Sequence, residues 1–275
     1  MPFPRGWKHF NLRVLLAAAF IAFTMTGCGT LQNGRGWGQD AIYPVEVKRI
    51  SHAAYHAFFD LQTLLPAAGA LLFTLDHYDQ RVSEWAITHH PIFGSEDAAR
   101  QAGDNLVLGL QAETLVTALA TPSGKDSKDW VFNKARGVGV DLGIELATGG
   151  VTELLKSTTD RTRPTGDDHS FPSGHSSNAF SSATLANRNM NSIEMPEELR
   201  MPLQVGNIVL ATGVAWARVE AGAHYPSDVL AGAAIGHFLS AFLHDAFMGV
   251  PEHKTWGFYV SPTRGGAMIG ISSGF

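Results

Sequence analysis

The chain contains few of the features that mark several common classes of protein. It has one cysteine, Cys28, among 275 residues, so no disulfide can form within it. Its 20 basic and 25 acidic residues give a formal net charge of −5, without the clustered basic face that general nucleic-acid binding requires. Internal repeats are also missing. These absences argue against a disulfide scaffold and a nucleic-acid binder, and the length suits one well-buried domain.

Long hydrophobic runs are scarce after residue 27. A helix needs about 20 mostly apolar residues to cross a bilayer, and the three stretches that come nearest are each interrupted by a proline or a histidine. Residues 61–75 contain Pro66, residues 201–217 contain Pro202, and residues 229–244 contain His237. We therefore expect the buried helices of a soluble bundle rather than a multi-spanning membrane protein.

Residues 1–27 have the layout of an export signal. Three basic residues near the start precede the apolar stretch 14–25, and small residues lead to Cys28. The sequence Met25-Thr26-Gly27-Cys28 resembles a bacterial lipobox, with Met in place of the commoner Leu, in which the cysteine becomes the lipidated N-terminus. Removal of residues 1–27, which hold three cations and no acid, would change the formal charge from −5 to −8. The alternative is a plain secretory signal followed by an incidental cysteine.

The exported protein is expected in the cell envelope. Gly29 follows the cysteine where an aspartate would retain a lipoprotein in the inner membrane, which favours a periplasm-facing lipoprotein of the outer membrane. Residues 28–45 lack apolar periodicity and are rich in glycine, so they predict a flexible tether. Residues 46–250 predict one helical domain, and the alternating pattern within residues 251–275 predicts a small β-hairpin.

Apolar periodicity and capping signals place the helices of that domain. The predicted helical segments cover residues 47–79 with a break at Pro66, 80–92, 96–120, 129–158, 173–187, 206–219 and 226–248. Residues 187–202, which are charged and contain prolines, predict a connection. Five glycines between Gly137 and Gly150 predict close contact with a neighbouring helix, because an exposed glycine there would only cost helix stability.

The residues able to do chemistry are concentrated between Lys156 and Asp228. Lys156 and Arg163 are seven residues apart, about two turns, and would share a face on one continuous helix. An arginine fork grips two phosphate oxygens at once, and a lysine adds a compact charge. Arg218 supplies a third cation. Any one of these alone is more often a solvated surface residue, but their spacing relative to two histidines favours a pocket for a tetrahedral oxyanion.

The segment Pro172-Ser173-Gly174-His175 predicts the start of a helix. Ser173 is a natural N-cap, Gly174 allows the backbone to approach an anion, and the free N–H groups of a first helical turn bind anions. His175 would then be placed to protonate a leaving oxygen. An ordinary helix start without a ligand is the alternative interpretation.

His224 is the candidate nucleophile. It precedes a helix with Pro226 in its first turn, and Asp228, four residues later, could accept a hydrogen bond from one ring nitrogen. That bond would fix the tautomer and leave the other nitrogen free to attack phosphorus. A lone His-x-x-x-Asp is more often a local structural contact.

The three motifs together resemble those of the PAP2 superfamily, which includes bacterial class A acid phosphatases and vanadium haloperoxidases. They are Lys156-x6-Arg163-Pro164, Pro172-Ser173-Gly174-His175 and Arg218-x5-His224-x3-Asp228. Ala217 departs from the family, which usually has serine before the arginine. The resemblance implies an all-α helical bundle of the acid phosphatase/vanadium-dependent haloperoxidase type, to which the predicted C-terminal hairpin would be attached.

The resemblance also implies the roles of the residues. His224 would attack the phosphoryl group to form a phosphohistidine, Asp228 would orient it, and His175 would act as general acid. The phosphate would be bound by five residues: Lys156, Arg163, Arg218 and the backbone of Ser173 and Gly174. No cofactor and no metal is implied, and vanadate would inhibit the enzyme as a phosphate mimic.

The expected function is that of a metal-independent phosphatase acting on phosphomonoesters or pyrophosphates. Lipid phosphates are candidate substrates, since a lipid anchor would hold the site near a membrane. Soluble phosphomonoesters are candidate substrates as well. The partners would be that substrate and, through Cys28, a membrane. Two other classes stay open: a vanadate-dependent haloperoxidase, typically a much larger protein, and a non-catalytic envelope lipoprotein.

Overall fold

The computed structural model of the protein describes residues 27–41, residues 45–249 and two strands; residues 1–26 of the predicted export signal lie outside this part. The described residues form eight α-helices, and the predicted all-α class is confirmed. The elements are α1 (Val47–Phe59), α2 (Leu61–Phe73), α3 (Tyr78–His89), α4 (Glu96–Ala120), α5 (Ser127–Thr159), α6 (Gly174–Asn191), α7 (Glu197–Glu220), α8 (Pro226–Met248), β1 (Trp256–Thr263) and β2 (Gly266–Ser273).

α6 is the central helix of the bundle. It packs against α4, α5, α7 and α8, while α1 and α2 pack on α8. The contact between α6 and α8 is close because two glycines of α8 face the α6 backbone. A Cβ on Gly232 would lie 2.5 Å from the Ser173 carbonyl oxygen, and one on Gly236 would lie 2.1 Å from the Ser177 carbonyl oxygen. This packing brings the start of α6 beside the start of α8, where the two candidate catalytic histidines lie.

Several helix boundaries differ from those predicted, and two of the differences have a clear physical reason. The break expected at Pro66 falls instead at Asp60, where α1 and α2 meet at a 51° bend. Asp60 stops the first helix and caps the second, because its carboxylate accepts a hydrogen bond from the Gln62 N–H at 2.9 Å. α7 begins at Glu197, inside the predicted connection, since the acidic residues of its first turn complement the helix dipole, and Pro202 is accommodated within it.

The glycines of α5 do not make the helix contacts that were predicted. Four of them would place a Cβ with none of the described atoms within 4 Å: Gly139, Gly143, Gly149 and Gly150. Gly137 has a close neighbour, since its Cβ position lies 2.1 Å from the ring of Trp37, but Trp37 belongs to the segment 27–41 and not to a helix. The prediction of close helix packing is therefore wrong for all five glycines, and the side of α5 that carries the other four is open.

Residues 27–41 lie against the bundle, which differs from the predicted flexible tether. Trp37 is 2% exposed and covers Gly137 of α5. The backbone N–H of Trp37 donates to the Pro122 carbonyl at 2.8 Å, and the backbone N–H of Gly29 donates to the Gly124 carbonyl at 2.9 Å. The segment is thus fixed to the loop between α4 and α5. Periodicity could not show this, because Trp37 and Ala41 are the only buried hydrophobic side chains of the described segment.

The two strands follow the helical bundle. β1 and β2 pair antiparallel, with Trp256 opposite Ser273 and Thr263 opposite Gly266, at the place where the sequence predicts a hairpin. The two residues that would connect them, 264 and 265, lie outside the described part of the chain.

Membrane-spanning potential is concentrated in few elements. Among the described helices, α8 is the one whose length and apolar composition would allow it to cross a membrane, and α1 with α2 pass the same test as a bent pair. Most of α8 is buried within the bundle, as is typical of a core helix.

Candidate active site

The three motifs meet at one end of the bundle. Lys156 lies in the last turn of α5, His175 in the first turn of α6 and Arg218 in the last turn of α7. His224 is in the short loop that follows α7, and Asp228 lies in the first turn of α8. Four helix ends therefore surround one place and bring together residues that are distant in sequence.

The three predicted phosphate-binding cations lie close enough to His224 to act on its charge. Burial lowers the pKa of the His224 imidazole well below its usual value, and the charges of Arg218, Lys156 and Arg163 lower it further. The side chain is almost fully buried, with 1% of the residue exposed. His224 is therefore a neutral base surrounded by positive charge, and the neutral imidazole is the form that can act as a nucleophile.

A backbone carbonyl fixes the His224 ring. Nδ1 lies 2.6 Å from the Ser170 carbonyl oxygen, so this geometry assigns the proton to Nδ1 and leaves Nε2 unprotonated. The predicted hydrogen bond from His224 to Asp228 is not made, since Asp228 Oδ2 lies 4.0 Å from Nδ1. Ser170 stands between them, because its hydroxyl donates to Asp228 Oδ2 at 2.5 Å. Asp228 therefore reaches His224 through Ser170.

Arg161 and Asp79, neither of them predicted, complete the support of Asp228. Arg161 Nη1 donates to Asp228 Oδ1 at 2.5 Å and to Ser227 Oγ at 2.8 Å, and its Nη2 donates to Asp79 Oδ2 at 2.8 Å. Asp79 also accepts the Ser227 N–H at 2.8 Å. Burial raises the pKa of Asp228, while the Ser170 hydroxyl and the charge of Arg161 oppose the rise. The result is a buried network beneath the candidate nucleophile in which one arginine pairs with two carboxylates.

Ser173 serves the fold of the site rather than the binding of phosphate. Its hydroxyl accepts the Ser176 N–H at 3.4 Å, so the predicted N-cap of α6 is confirmed. Its own N–H donates to the Asp228 carbonyl at 3.0 Å and is not free to bind an anion, unlike the prediction. Gly174 and His175 provide the first amides of α6, which intrahelical bonds leave unpaired. A Cβ on Gly174 would lie 3.7 Å from Lys156 Nζ, so the first residue of α6 lies beside the lysine ammonium group.

His175 faces an aspartate that none of the motifs contains. Its Nε2 lies 2.8 Å from Asp104 Oδ1, and Arg218 Nη1 lies 3.7 Å from the same oxygen. Burial and the charge of Arg218 lower the pKa of His175, and the hydrogen bond to Asp104 opposes this. The His175 side chain is 38% exposed. This histidine is therefore at the open side of the site, where a leaving group could depart into solvent.

Three of the unpredicted site residues are charged, namely Arg161, Asp79 and Asp104, and the sequence carried a signal for only one of them. Arg161 stands two positions before Arg163, inside the first motif, and a further cation at that place could have been included. Asp79 and Asp104 lie on α3 and α4, far from the motifs in sequence. Only the packing of the bundle brings them to the site.

The positive charge of the site comes from side chains. Within the described part of the chain, no three His, Cys, Asp or Glu residues are grouped so that they could hold a metal ion. The cations Lys156, Arg163 and Arg218 act together on the pKa of His224, as a charged ligand site would require.

Comparison with known proteins agrees with this geometry. The sequence model of the PAP2 superfamily matches residues 165–249, a range that includes both candidate histidines and Asp228. A comparison with curated proteins finds no match. Among solved structures, the chain is similar to a transmembrane PAP2-type phosphatidylglycerolphosphate phosphatase from Bacillus subtilis, at 20% sequence identity and a TM-score of 0.50, over 70% of this chain and 94% of that chain. At that identity the similarity concerns the fold alone. Residues 165–249 are therefore similar to the PAP2 superfamily, and this range contains the second and third motifs, whereas Lys156 and Arg163 lie before it.

Proposed function

We propose that the protein is a phosphatase that hydrolyses phosphomonoesters or pyrophosphates through a phosphohistidine on His224. One observation carries the proposal: a buried, neutral imidazole with a fixed tautomer lies under the influence of Lys156, Arg163 and Arg218. A neutral nucleophile within a positively charged pocket suits an anionic electrophile such as a phosphoryl group.

In the first step, His224 Nε2 attacks phosphorus and forms an N–P bond while the P–O bond to the leaving group breaks. Protonated His175 gives its proton to the leaving oxygen, which departs as a neutral alcohol when the substrate is a monoester. Lys156, Arg163 and Arg218 stabilise the charge on the equatorial oxygens. Such electrostatic stabilisation is the main catalytic resource in phosphoryl transfer.

In the second step, a water oxygen attacks phosphorus and the N–P bond breaks. His175, now neutral, takes a proton from this water, phosphate is released, and His224 returns to its neutral form. The Ser170 carbonyl holds the Nδ1 proton of His224 through both steps. Asp228 acts as a positioning residue, because its carboxylate fixes Ser170 by a hydrogen bond.

The two histidines predict a kcat/KM optimum on the acidic side of neutrality. In the free enzyme His224 has to be neutral and His175 protonated, and both pKa values lie below the ordinary histidine value of 6.5. As the pH rises, kcat/KM should fall when His175 loses its proton; as the pH falls, it should fall only when His224 gains one. The pH profile measured with a substrate of constant charge checks this. A plateau that continues above about pH 8 would contradict it.

Lipid phosphates are the substrates that we favour. Several helices expose large apolar side chains, among them Leu71 of α2, Leu146 and Leu154 of α5 and Val209 of α7, each at least 63% exposed. Extensive apolar surface of this kind marks protein or membrane contacts. Leu154 lies at the end of α5 that carries Lys156, although the two side chains point to different faces of the helix. The similar Bacillus subtilis protein is, by its name, a phosphatase of a phospholipid.

We also propose export and lipidation at Cys28, which would make the protein a periplasm-facing lipoprotein of the outer membrane. Cys28 is exposed and lies beside the loop between α4 and α5. Lys156 is at the other end of α5, whose 33 residues span about 50 Å. Because of this distance, the lipid anchor alone would not hold the site at the membrane. The exposed apolar side chains along α5 could bring the site to the membrane surface. An unmodified Cys28 in the mass of membrane-extracted protein would rule out lipidation.

Phosphate release from a substrate panel tests the proposed activity. With membrane-extracted protein we expect turnover of a lipid phosphate in mixed micelles and of a soluble phosphomonoester, unchanged by EDTA and inhibited by orthovanadate. The lipid substrate should have the higher kcat/KM. Loss of activity in EDTA that a divalent metal restores would contradict a metal-independent mechanism. A panel without any turnover would instead favour the non-catalytic lipoprotein.

A further inference from the structure

Asp104 occupies a position that the proposed mechanism does not use. It lies on α4, and its Oδ1 is 2.8 Å from His175 Nε2 and 3.7 Å from Arg218 Nη1. The Asp104 side chain is 61% exposed, so it does not hold the core together. One oxygen of Asp104 therefore contacts both the proposed general acid and a proposed phosphate-binding arginine. This places the carboxylate where the transferred phosphate and the leaving group would meet.

The proton on His175 Nε2 connects Asp104 to the reaction. In the resting site this N–H donates to Asp104 Oδ1, and both side chains of this contact are partly exposed to solvent. During the first step the leaving oxygen has to receive that proton. The leaving oxygen must therefore come to Nε2 beside the Asp104 carboxylate, and whatever is attached to that oxygen lies next to a negative charge.

The charge of the leaving group then decides how well it is accepted. A monoester releases an alcohol, which is neutral once His175 has protonated it and can donate a hydrogen bond to Asp104. A pyrophosphate releases a phosphate group that still carries negative charge beside the same carboxylate. The negative charges of the carboxylate and of this phosphate leaving group repel each other, and such repulsion can discriminate against a substrate.

We propose that Asp104 is a specificity-determining residue that selects phosphomonoesters of neutral alcohols over pyrophosphates. This rests on the proposed phosphatase function and narrows it to one of its two substrate classes. Arg218, which lies near the same oxygen, keeps the charge needed to bind the transferred phosphate, while Asp104 acts on the group that leaves.

The test compares a phosphomonoester with the pyrophosphate of the same alcohol, using wild type, Asp104→Asn, Asp104→Glu and Asp97→Asn. Asp97 is an exposed acid two turns earlier on α4, so its variant makes the same charge change away from the site. Wild type should have the higher kcat/KM for the monoester. Asp104→Asn should raise the ratio of pyrophosphate to monoester kcat/KM by about tenfold, whereas Asp104→Glu and Asp97→Asn should leave it near the wild-type ratio.

Each other outcome has a distinct meaning. A wild-type preference for the pyrophosphate overturns the inference, and so does an unchanged ratio in Asp104→Asn. If that variant loses activity equally on both substrates, Asp104 only positions His175, and the specificity role is also overturned. If wild type turns over neither substrate, the proposed phosphatase function itself fails, and the two failures can be told apart.

Discussion

Replacing His224 with alanine is expected to reduce kcat for phosphate release by about 10⁴-fold or more. The variant lacks the nitrogen that forms the N–P bond, and neighbouring groups cannot replace it. His175 is held in its contact with Asp104, and the other side chains that act on His224 are cations. The remaining positive pocket should still bind phosphate or vanadate, so the loss should fall on kcat rather than on KM. Initial rates on the lipid phosphate, measured over a range of concentrations, check this.

Two further variants separate chemistry from folding. His224→Asn keeps an N–H that can donate to the Ser170 carbonyl, but its amide nitrogen cannot attack phosphorus, so it should be folded and equally inactive. His89→Ala removes an exposed histidine at the end of α3, outside the site, and should keep wild-type kcat. Activity within tenfold of wild type in both His224 variants would be incompatible with this mechanism.

Replacing Arg161 with alanine is expected to lower the free energy of unfolding by about 3–5 kcal/mol, because removal of one partner leaves buried charge uncompensated. Arg161 bridges Asp79 and Asp228, which are 2% and 0% exposed. For a domain of this size the loss corresponds to a fall in Tm of about 10 °C. The variant should also lose activity, since Asp228 would no longer hold Ser170 in place. Thermal unfolding and kcat, measured on the same preparation, check both effects.

The pH dependence of this loss has a defined sign. Without Arg161, the charge of Asp79 would further raise the pKa of the already perturbed Asp228 carboxyl above its unfolded value. A carboxyl whose pKa is raised on folding favours the folded state when it is protonated and costs stability when it ionises. The destabilisation of Arg161→Ala should therefore be smaller at acidic pH and grow as the pH rises. The opposite trend would show that the two carboxylates are not the cause.

A neighbouring arginine provides the matched control. Arg163 is half-buried and is assigned to the phosphate, so Arg163→Ala should reduce activity while leaving Tm close to wild type. Adding Asp79→Asn to Arg161→Ala removes one of the two uncompensated carboxylates and should restore part of the lost stability. If Arg161→Ala and Arg163→Ala lower Tm equally, the network beneath Asp228 does not have the structural role assigned to it.

The sequence predicted the elements that carry the site because they depend on local rules. An N-cap at Ser173 and a proline at the start of α8 fix where two helices begin, and the spacing around His224 then follows. The predicted gathering of cations near His224 agrees with their joint effect on its pKa. The catalytic and binding roles of these residues remain predictions that the experiments above address.

The sequence could not show which of several nearby groups would form a hydrogen bond with a given site residue. Asp228 is at the right spacing to contact His224, but Ser170 offers His224 a closer acceptor and takes the carboxylate for its own hydroxyl. Asp79 and Asp104 come from helices whose positions relative to the site are set by packing. The glycines of α5 without close neighbours could not be predicted either, since composition does not reveal whether a small residue faces a neighbouring helix or solvent.

Rapid-quench labelling of the protein tests the central claim most directly. The enzyme is mixed with a substrate that carries a radioactive phosphoryl group, stopped within milliseconds under alkaline conditions, digested and mapped. The mechanism predicts an alkali-stable, acid-labile label on the peptide containing His224, chased by unlabelled substrate and absent from His224→Asn. Steady turnover with the label on another residue would contradict the mechanism.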